Sequence, residues 1–197
     1  FRYPDGINGE PIYIDFGLQN YTVPTGKTLY ITNVHTAGCL TISSTDDGNI
    51  NECIVGPINY TVTNSNIGTN SLKNPIIISE GKTLSGSNLL NSNGVFTTDN
   101  TFNGLLVDVG VSPITNRNGF TVPQGKILFI THVNNFGGWL EINNKLIFSA
   151  SYIRPGIPFI VSEGNYVDGG LFNGYLVDEN YFADCGGGGS SSSTVDS

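Results

Sequence analysis

The two histidines, His35 and His132, are the side chains of this chain best suited to proton transfer or metal binding near neutral pH. They fall in corresponding stretches of two similar segments but are not equivalent, because His35 aligns with Asn134 and His132 with Asn33. A metal centre needs three or four converging ligands, and a hydrolytic triad needs a nucleophile and an acid beside the histidine. Neither pattern surrounds these residues, so both read as surface or strand-end histidines. Four carboxylates come in repeated pairs, Glu80 with Glu163 and Asp108 with Asp178. Two carboxylates flanking a sugar linkage can hydrolyse it. Here both glutamates precede a turn glycine and both aspartates end a strand, where carboxylates accept backbone hydrogen bonds. The sequence predicts no catalytic residue and a chain that is not an enzyme.

Binding chemistry has three candidate places. Asp47, Asn49 and Asn51 put oxygen ligands at alternate positions, as a calcium loop does, but Glu52 stands where an EF-hand has its turn glycine and Ile58 where it has its final glutamate. An irregular calcium site and a plain hairpin tip both remain open, and no other cofactor is expected. Trp139 is the single tryptophan, following Asn134, Asn135 and Phe136. Its flat apolar ring could stack on a sugar with those amides beside it, or it could pack between sheets. Cys39 and Cys53 flank a hairpin whose turn is Thr45 to Gly48. One register places Cys53 across from Thr41 and diagonal to Cys39; a register centred on Asp46 places the two opposite each other. A disulfide and two free thiols are both compatible with the sequence, and Cys185 could pair between chains.

The elements that must position these residues are written twice. Tyr21-Thr22-Val23-Pro24-Thr25-Gly26-Lys27-Thr28-Leu29-Tyr30-Ile31-Thr32 returns as Phe120-Thr121-Val122-Pro123-Gln124-Gly125-Lys126-Ile127-Leu128-Phe129-Ile130-Thr131. Pro75 to Gly81 returns as Pro158 to Gly164, and Phe102 to Asp108 as Phe172 to Asp178. Matched blocks in one order mark a duplicated unit. What recurs is turn and strand chemistry. Proline presets the first central position of a turn and glycine takes the φ that a side chain resists, so Val-Pro-x-Gly-Lys opens a strand in each copy. Asn143-Asn144 between alternating residues reads as a two-residue hairpin turn. Residues 59–73 and 85–101 read as polar insertions of the first copy, and the join between copies falls near 110–118.

Composition agrees with this. The chain has 197 residues, 24 Asn and 26 Gly, and only 12% charged residues. Asn and Gly supply left-handed turn positions, while the apolar runs are rich in β-branched and aromatic residues. The expected fold is all-β: tandem antiparallel β-sandwich modules of jelly-roll type over 1–110 and, smaller, 111–185, then a Gly/Ser-rich tail over 186–197. An added cloning linker has the same composition as that tail. Net charge is −8 without a basic cluster, so nucleic acid is excluded as an expected partner. No apolar run is long enough to span a membrane as a helix. The sequence has no Met and begins at Phe1, as removal of a signal peptide would leave it.

The stretches Pro4-Asp5-Gly6…Gly9-Glu10-Pro11-Ile12, Tyr-Thr-Val-Pro-x-Gly-Lys-x-Leu-Tyr-Ile-Thr and Phe-Asn-Gly-Tyr-Leu-Val-Asp resemble β-rich modules in secreted surface proteins of marine flavobacteria. The resemblance covers most of residues 1–185 and implies jelly-roll-like modules set in series, joined by Gly/Ser-rich stretches. Viral and phage spike or capsid proteins share that jelly-roll logic. None of these brings catalytic residues. The expected function is therefore structural: a secreted, cell-surface or virion-surface subunit that assembles with itself as a fibre, surface layer or spike. A carbohydrate-binding module or adhesin contacting glycans is the alternative, and a viral or phage capsid or fibre protein the second. Exposed strand edges invite strand addition, and residues 1–18 or 183–197 are expected to lie against another copy.

Overall fold

The computed structural model describes residues 8–16, 19–36, 39–55, 68–87, 100–117, 119–134, 139–149 and 156–181. The turn signals of residues 4–6, Asn135, Phe136, Cys185 and the Gly/Ser tail lie outside the described residues, as does most of what was expected to meet another copy.

The described residues form sixteen strands and no helix. The first half holds β1 (Glu10–Asp15), β2 (Tyr21–Thr22), β3 (Lys27–Thr36), β4 (Cys39–Ser44), β5 (Ile50–Val55), β6 (Gly68–Ile78), β7 (Thr83–Ser87) and β8 (Thr101–Asp108). The second holds β9 (Ser112–Asn116), β10 (Phe120–Thr121), β11 (Lys126–Val133), β12 (Trp139–Ile142), β13 (Lys145–Ser149), β14 (Phe159–Ser162), β15 (Tyr166–Gly169) and β16 (Phe172–Asp178). They make four small antiparallel sheets. Those of the first half run β1-β8-β3-β6 and β2-β7-β4-β5; those of the second run β9-β16-β11-β14 and β10-β15-β12-β13. Strand for strand, the second half repeats the first.

The repeat extends to irregularities. The ladder between β3 and β8 slips between Ile31 and Asn33, and that between β11 and β16 slips between Ile130 and His132. The bulged residues, Thr32 and Thr131, donate their hydroxyls to the carbonyls of Asn103 and Asn173. The hairpins β4–β5 and β12–β13 also slip at one place, after Leu40 and after Leu140. At their tips Gly48, Asn143 and Asn144 take positive φ, the conformation for which glycine and asparagine were expected there.

Period-two alternation sorts each central strand between two cores. Leu29 and Ile31 of β3 face Leu40, Ile42, Ile54 and Leu84 from the other sheet of the first half. Leu128 and Ile130 of β11 do the same with Leu140 and Val167 in the second. The residues between them point the other way: Tyr30, Ile77 and Val107 meet Phe129, Tyr175 and Val177 in a third apolar cluster that joins the halves. Phe129 and Tyr175 stack there with ring centroids 5.1 Å apart.

Two sequence expectations need correction. Parts of the stretches expected as polar insertions, 59–73 and 85–101, are strand: β6 begins at Gly68 and β7 reaches Ser87. Partners decide this, since Asn70 pairs with Val34 of β3 despite weak strand propensity. The expected join at 110–118 is largely β9, which pairs with β16, so only Val109 to Val111 connect the halves.

Glycine on the last strand of each half has a steric reason. A Cβ on Gly104 would lie 2.5 Å from the Tyr30 carbonyl oxygen, and one on Gly174 would lie 2.1 Å from that of Phe129. Gly104→Ala and Gly174→Ala should each lower stability by about 1–3 kcal/mol through forced backbone shifts. Urea midpoints measure this, and an unchanged midpoint for both variants would contradict the packing described.

Candidate functional site

Three of the polar residues singled out in the sequence, His132, Asn134 and Asp47, converge on one place, the joint between the halves, whereas His35 lies near the end of β3 opposite Thr69 and Thr101. The joint starts from an edge problem: β6 ends its sheet, so alternate backbone groups on its outer side have no strand partner. Asn173 of β16 meets them. Its side-chain oxygen accepts from Ile77 N–H at 2.7 Å, and its amide nitrogen donates to the Ile77 carbonyl at 2.7 Å. The same amide lies 2.9 Å from the Thr115 hydroxyl and is 1% exposed.

Beside it, the end of β11 grips a second edge strand. His132 is the cross-strand partner of Asn173 and its Nε2 lies 2.9 Å from the Ile54 carbonyl oxygen, which fixes that nitrogen as the donor. Asn134 donates to the Cys53 carbonyl. The tip of the first hairpin closes the joint from the other direction. Asp46 exchanges hydrogen bonds with the backbone of Thr115, its N–H donating at 2.7 Å and its carboxylate accepting at 2.6 Å. Asp47 accepts from Arg117 N–H at 3.2 Å, and the Arg117 guanidinium meets Glu52 at 2.8 Å. Lys82 lies 3.2 Å from Asp46. The first half thus presents two strand edges and a hairpin tip, and the second presents amide, imidazole and guanidinium donors.

This accounts for several residues singled out in the sequence. Asp47 already receives hydrogen bonds from the Thr45 hydroxyl, the Asn49 amide and the Arg117 backbone, so a calcium ion would have to displace them. Asn51 sits beyond the turn at φ 54°. Asn134 is buried in the joint and is therefore turned away from any sugar, while Asn135 and Phe136 lie outside the described residues. Trp139 is 39% exposed at the start of β12. Cys39 and Cys53 are joined by a disulfide, with Cα atoms 5.7 Å apart, in the register that sets Cys53 opposite Thr41.

The repeated carboxylates have repeated jobs. Glu80 accepts from Gly26 N–H, and Glu163 from Gly125 N–H at 2.6 Å, each tying a Ser-Glu-Gly turn to the Val-Pro-x-Gly-Lys turn of its half. Lys27 binds Asp108 at 2.8 Å and Lys126 binds Asp178 at 2.6 Å. The hydrogen bond and charge of Lys27 hold the Asp108 carboxyl below its ordinary range, and Asp108 raises Lys27 in turn. Among the described residues, no group of three His, Cys, Asp or Glu side chains is placed to hold a metal ion. No helix among them is long and apolar enough to cross a membrane.

Sequence reasoning passed over Asn173, Thr115 and Arg117. The Asn173 signal was present, since Asn103 repeats it, but the repeat cannot say which copy is buried.

No protein-family model matches the chain, and no curated protein matches it. Among solved structures, the chain is similar to a conserved protein of unknown function from Pseudomonas aeruginosa PAO1, at 9% identity over 86% of this chain and 78% of that one. The TM-score of 0.23 is too low to place any residue by likeness.

Two outcomes are expected. Asn173→Leu should destabilise the chain by roughly 1–3 kcal/mol for each backbone group left buried without a partner. Asn103→Leu, at the exposed equivalent, should stay within about 0.5 kcal/mol when the chain is dilute; equal losses at both sites would contradict the joint. Separately, the depressed Asp108 carboxyl contributes stability at neutral pH that is lost as pH falls through its lowered midpoint, and the raised Lys27 ammonium contributes stability that is lost as pH rises through its own. Both groups are exposed, so the effect on stability is slight. Carboxyl NMR should show Asp108 titrating below ordinary aspartates, and Lys27→Gln should return it to them.

Proposed function

We propose that this chain is a non-catalytic structural subunit that works outside the cell by associating with copies of itself, as part of a fibre, surface layer or spike. The observation that carries the reading is how the chemistry-bearing residues are employed. His132, Asn134, Asn173, Asp46, Glu80 and Glu163 each bind a backbone group of another element, so their roles are in assembly of the chain. Stacked against this, the surface carries large apolar side chains on strand edges, including Leu146 at 58% and Ile160 at 61% exposed. Exposed apolar patches mark interaction sites. The Cys39–Cys53 disulfide supports an oxidising setting, and low charge density supports close approach of like chains.

Each half is further read as a jelly roll. In support, its two four-stranded sheets follow the interleaved order β1-β8-β3-β6 and β2-β7-β4-β5 and share one apolar core. Such modules serve cell-surface and virion assemblies alike, and the chain fits either. Binding of glycans is the second reading, favoured by the half-exposed ring of Trp139 alone.

Light scattering across a concentration series tests the first reading: mass should rise with concentration. A chain that stays monomeric and binds sugars on a glycan array, with Trp139→Ala abolishing the signal, would replace it by the second.

A further inference from the structure

Among the described residues, the strand faces of the joint have a second, unfilled copy. Because the halves repeat strand for strand, the strand residues of the joint have counterparts in the other half, whereas the longer tip that carries Asp46 and Asp47 is answered by the two-residue turn Asn143-Asn144. On the gripped side, Cys53, Ile54 and Ile77 of β5 and β6 correspond by register to Leu146, Ile147 and Ile160 of β13 and β14. On the gripping side, Thr115 and Asn173 of β9 and β16 correspond to Tyr13 and Asn103 of β1 and β8.

Burial separates each pair. Ile54 and Ile77 are 1% and 0% exposed, whereas Ile147 and Ile160 are 49% and 61% exposed. Thr115 is 3% exposed and Tyr13 is 62% exposed; Asn173 is buried and Asn103 exposed. The second half therefore carries an open version of the edge surface that the first half buries, made more apolar by Leu146. The first half carries an open version of the surface that grips it. Two complementary faces, each a structural copy of one already used in this chain, remain on its surface.

We infer that a second copy of this chain occupies them: the β13–β14 edges of one chain dock against the β1–β8 face of the next, and Asn103 takes the backbone of Ile160 as Asn173 takes that of Ile77. The inference rests on the self-association proposed above and adds its faces and its polarity. The contact is head to tail, because the two surfaces differ. A heterologous contact of this kind closes into a ring where the rotation allows and otherwise runs on as a filament. The internal joint supplies the rule for the partner: an edge strand presents N–H and C=O, and an asparagine side chain offers one acceptor and one donor to meet them. Burial of Leu146, Ile147 and Ile160 supplies the apolar contribution.

Two surface variants of the full chain test this. Ile147→Asp/Ile160→Asp alters one face and Asn103→Asp/Tyr13→Asp the other, at exposed positions where the fold should persist, as circular dichroism and thermal midpoint will register. Light scattering should show wild-type chains growing in mass with concentration and each variant remaining monomeric. Mixed, the two variants should form a one-to-one pair and nothing larger, since each retains the face the other lacks. If wild type assembles and both variants assemble equally well, the faces are wrong while self-association stands. If the mixture stays monomeric although each variant alone has lost assembly, head-to-tail polarity is wrong. If wild type remains monomeric throughout, this inference and the proposed function both fall.

Discussion

The joint of this molecule depends on a side-chain amide capping a strand edge. Burying an edge strand against another body without partners leaves peptide groups dehydrated and unpaired, at about 1–3 kcal/mol each. A strand from the second half could have paired with β6, but that would fuse two sheets and pull apart the cores they cover. Asn173 instead offers a peptide-like group from a side chain, so β6 is satisfied while the sheets stay separate. Asp46 does the same for β9 at Thr115, with backbone and carboxylate together replacing a strand partner. Once both edges are met, Tyr30, Ile77, Phe129 and Tyr175 can lose their water without a polar penalty.

That arrangement also places His132, read from the sequence as a surface or strand-end histidine, inside the buried joint. Burying a His or Asn favours a hydrogen-bonded partner, and uncommitted edge carbonyls are acceptors that an all-β interface offers. His132 and Asn134 find two of them on neighbouring residues of β5, Ile54 and Cys53. The carbonyls are presented side by side because β5 bulges there, after its partner passes from Leu40 to Thr41. The disulfide holds Cys53 against β4 at the same point, so the gripped strand is fixed from both sides.

Much of the fold was legible because the repeated signals are local. The Val-Pro-x-Gly-Lys turns, the Asn143-Asn144 tip and the alternation of Leu29, Tyr30 and Ile31 each declare a conformation or a face within a few residues. The two-residue strands β2 and β10 were hidden in those turns, and β9 was hidden because Pro113-Ile114 repeats Pro11-Ile12 over too short a span to stand out. The joint was not legible for a different reason. Asn103 and Asn173 sit in nearly the same words, Phe-Asn-Gly, on equivalent strands, and one is exposed while the other is buried. Their environments differ through contacts made by the other half, and such long-range partners leave no mark on neighbouring residues.

Duplication normally allows the copies to diverge where their surroundings differ, and the substitutions at the joint follow that logic. Cys39 and Cys53, cross-linked behind the gripped strand, become Trp139 and Leu146 in the second half, according to the shared register around Leu40 and Leu140. A covalent brace beside a buried strand is thus replaced by two large apolar side chains beside an open one. Thr115, which fits in a tight contact with Asp46, is answered by the bulky Tyr13 on the exposed β1. If the open faces met only water, polar replacements would suit them better, since exposed apolar strand edges invite aggregation. In the self-association proposed above, Tyr13, Leu146, Ile147 and Ile160 meet a second copy, with the internal joint as the template for that contact.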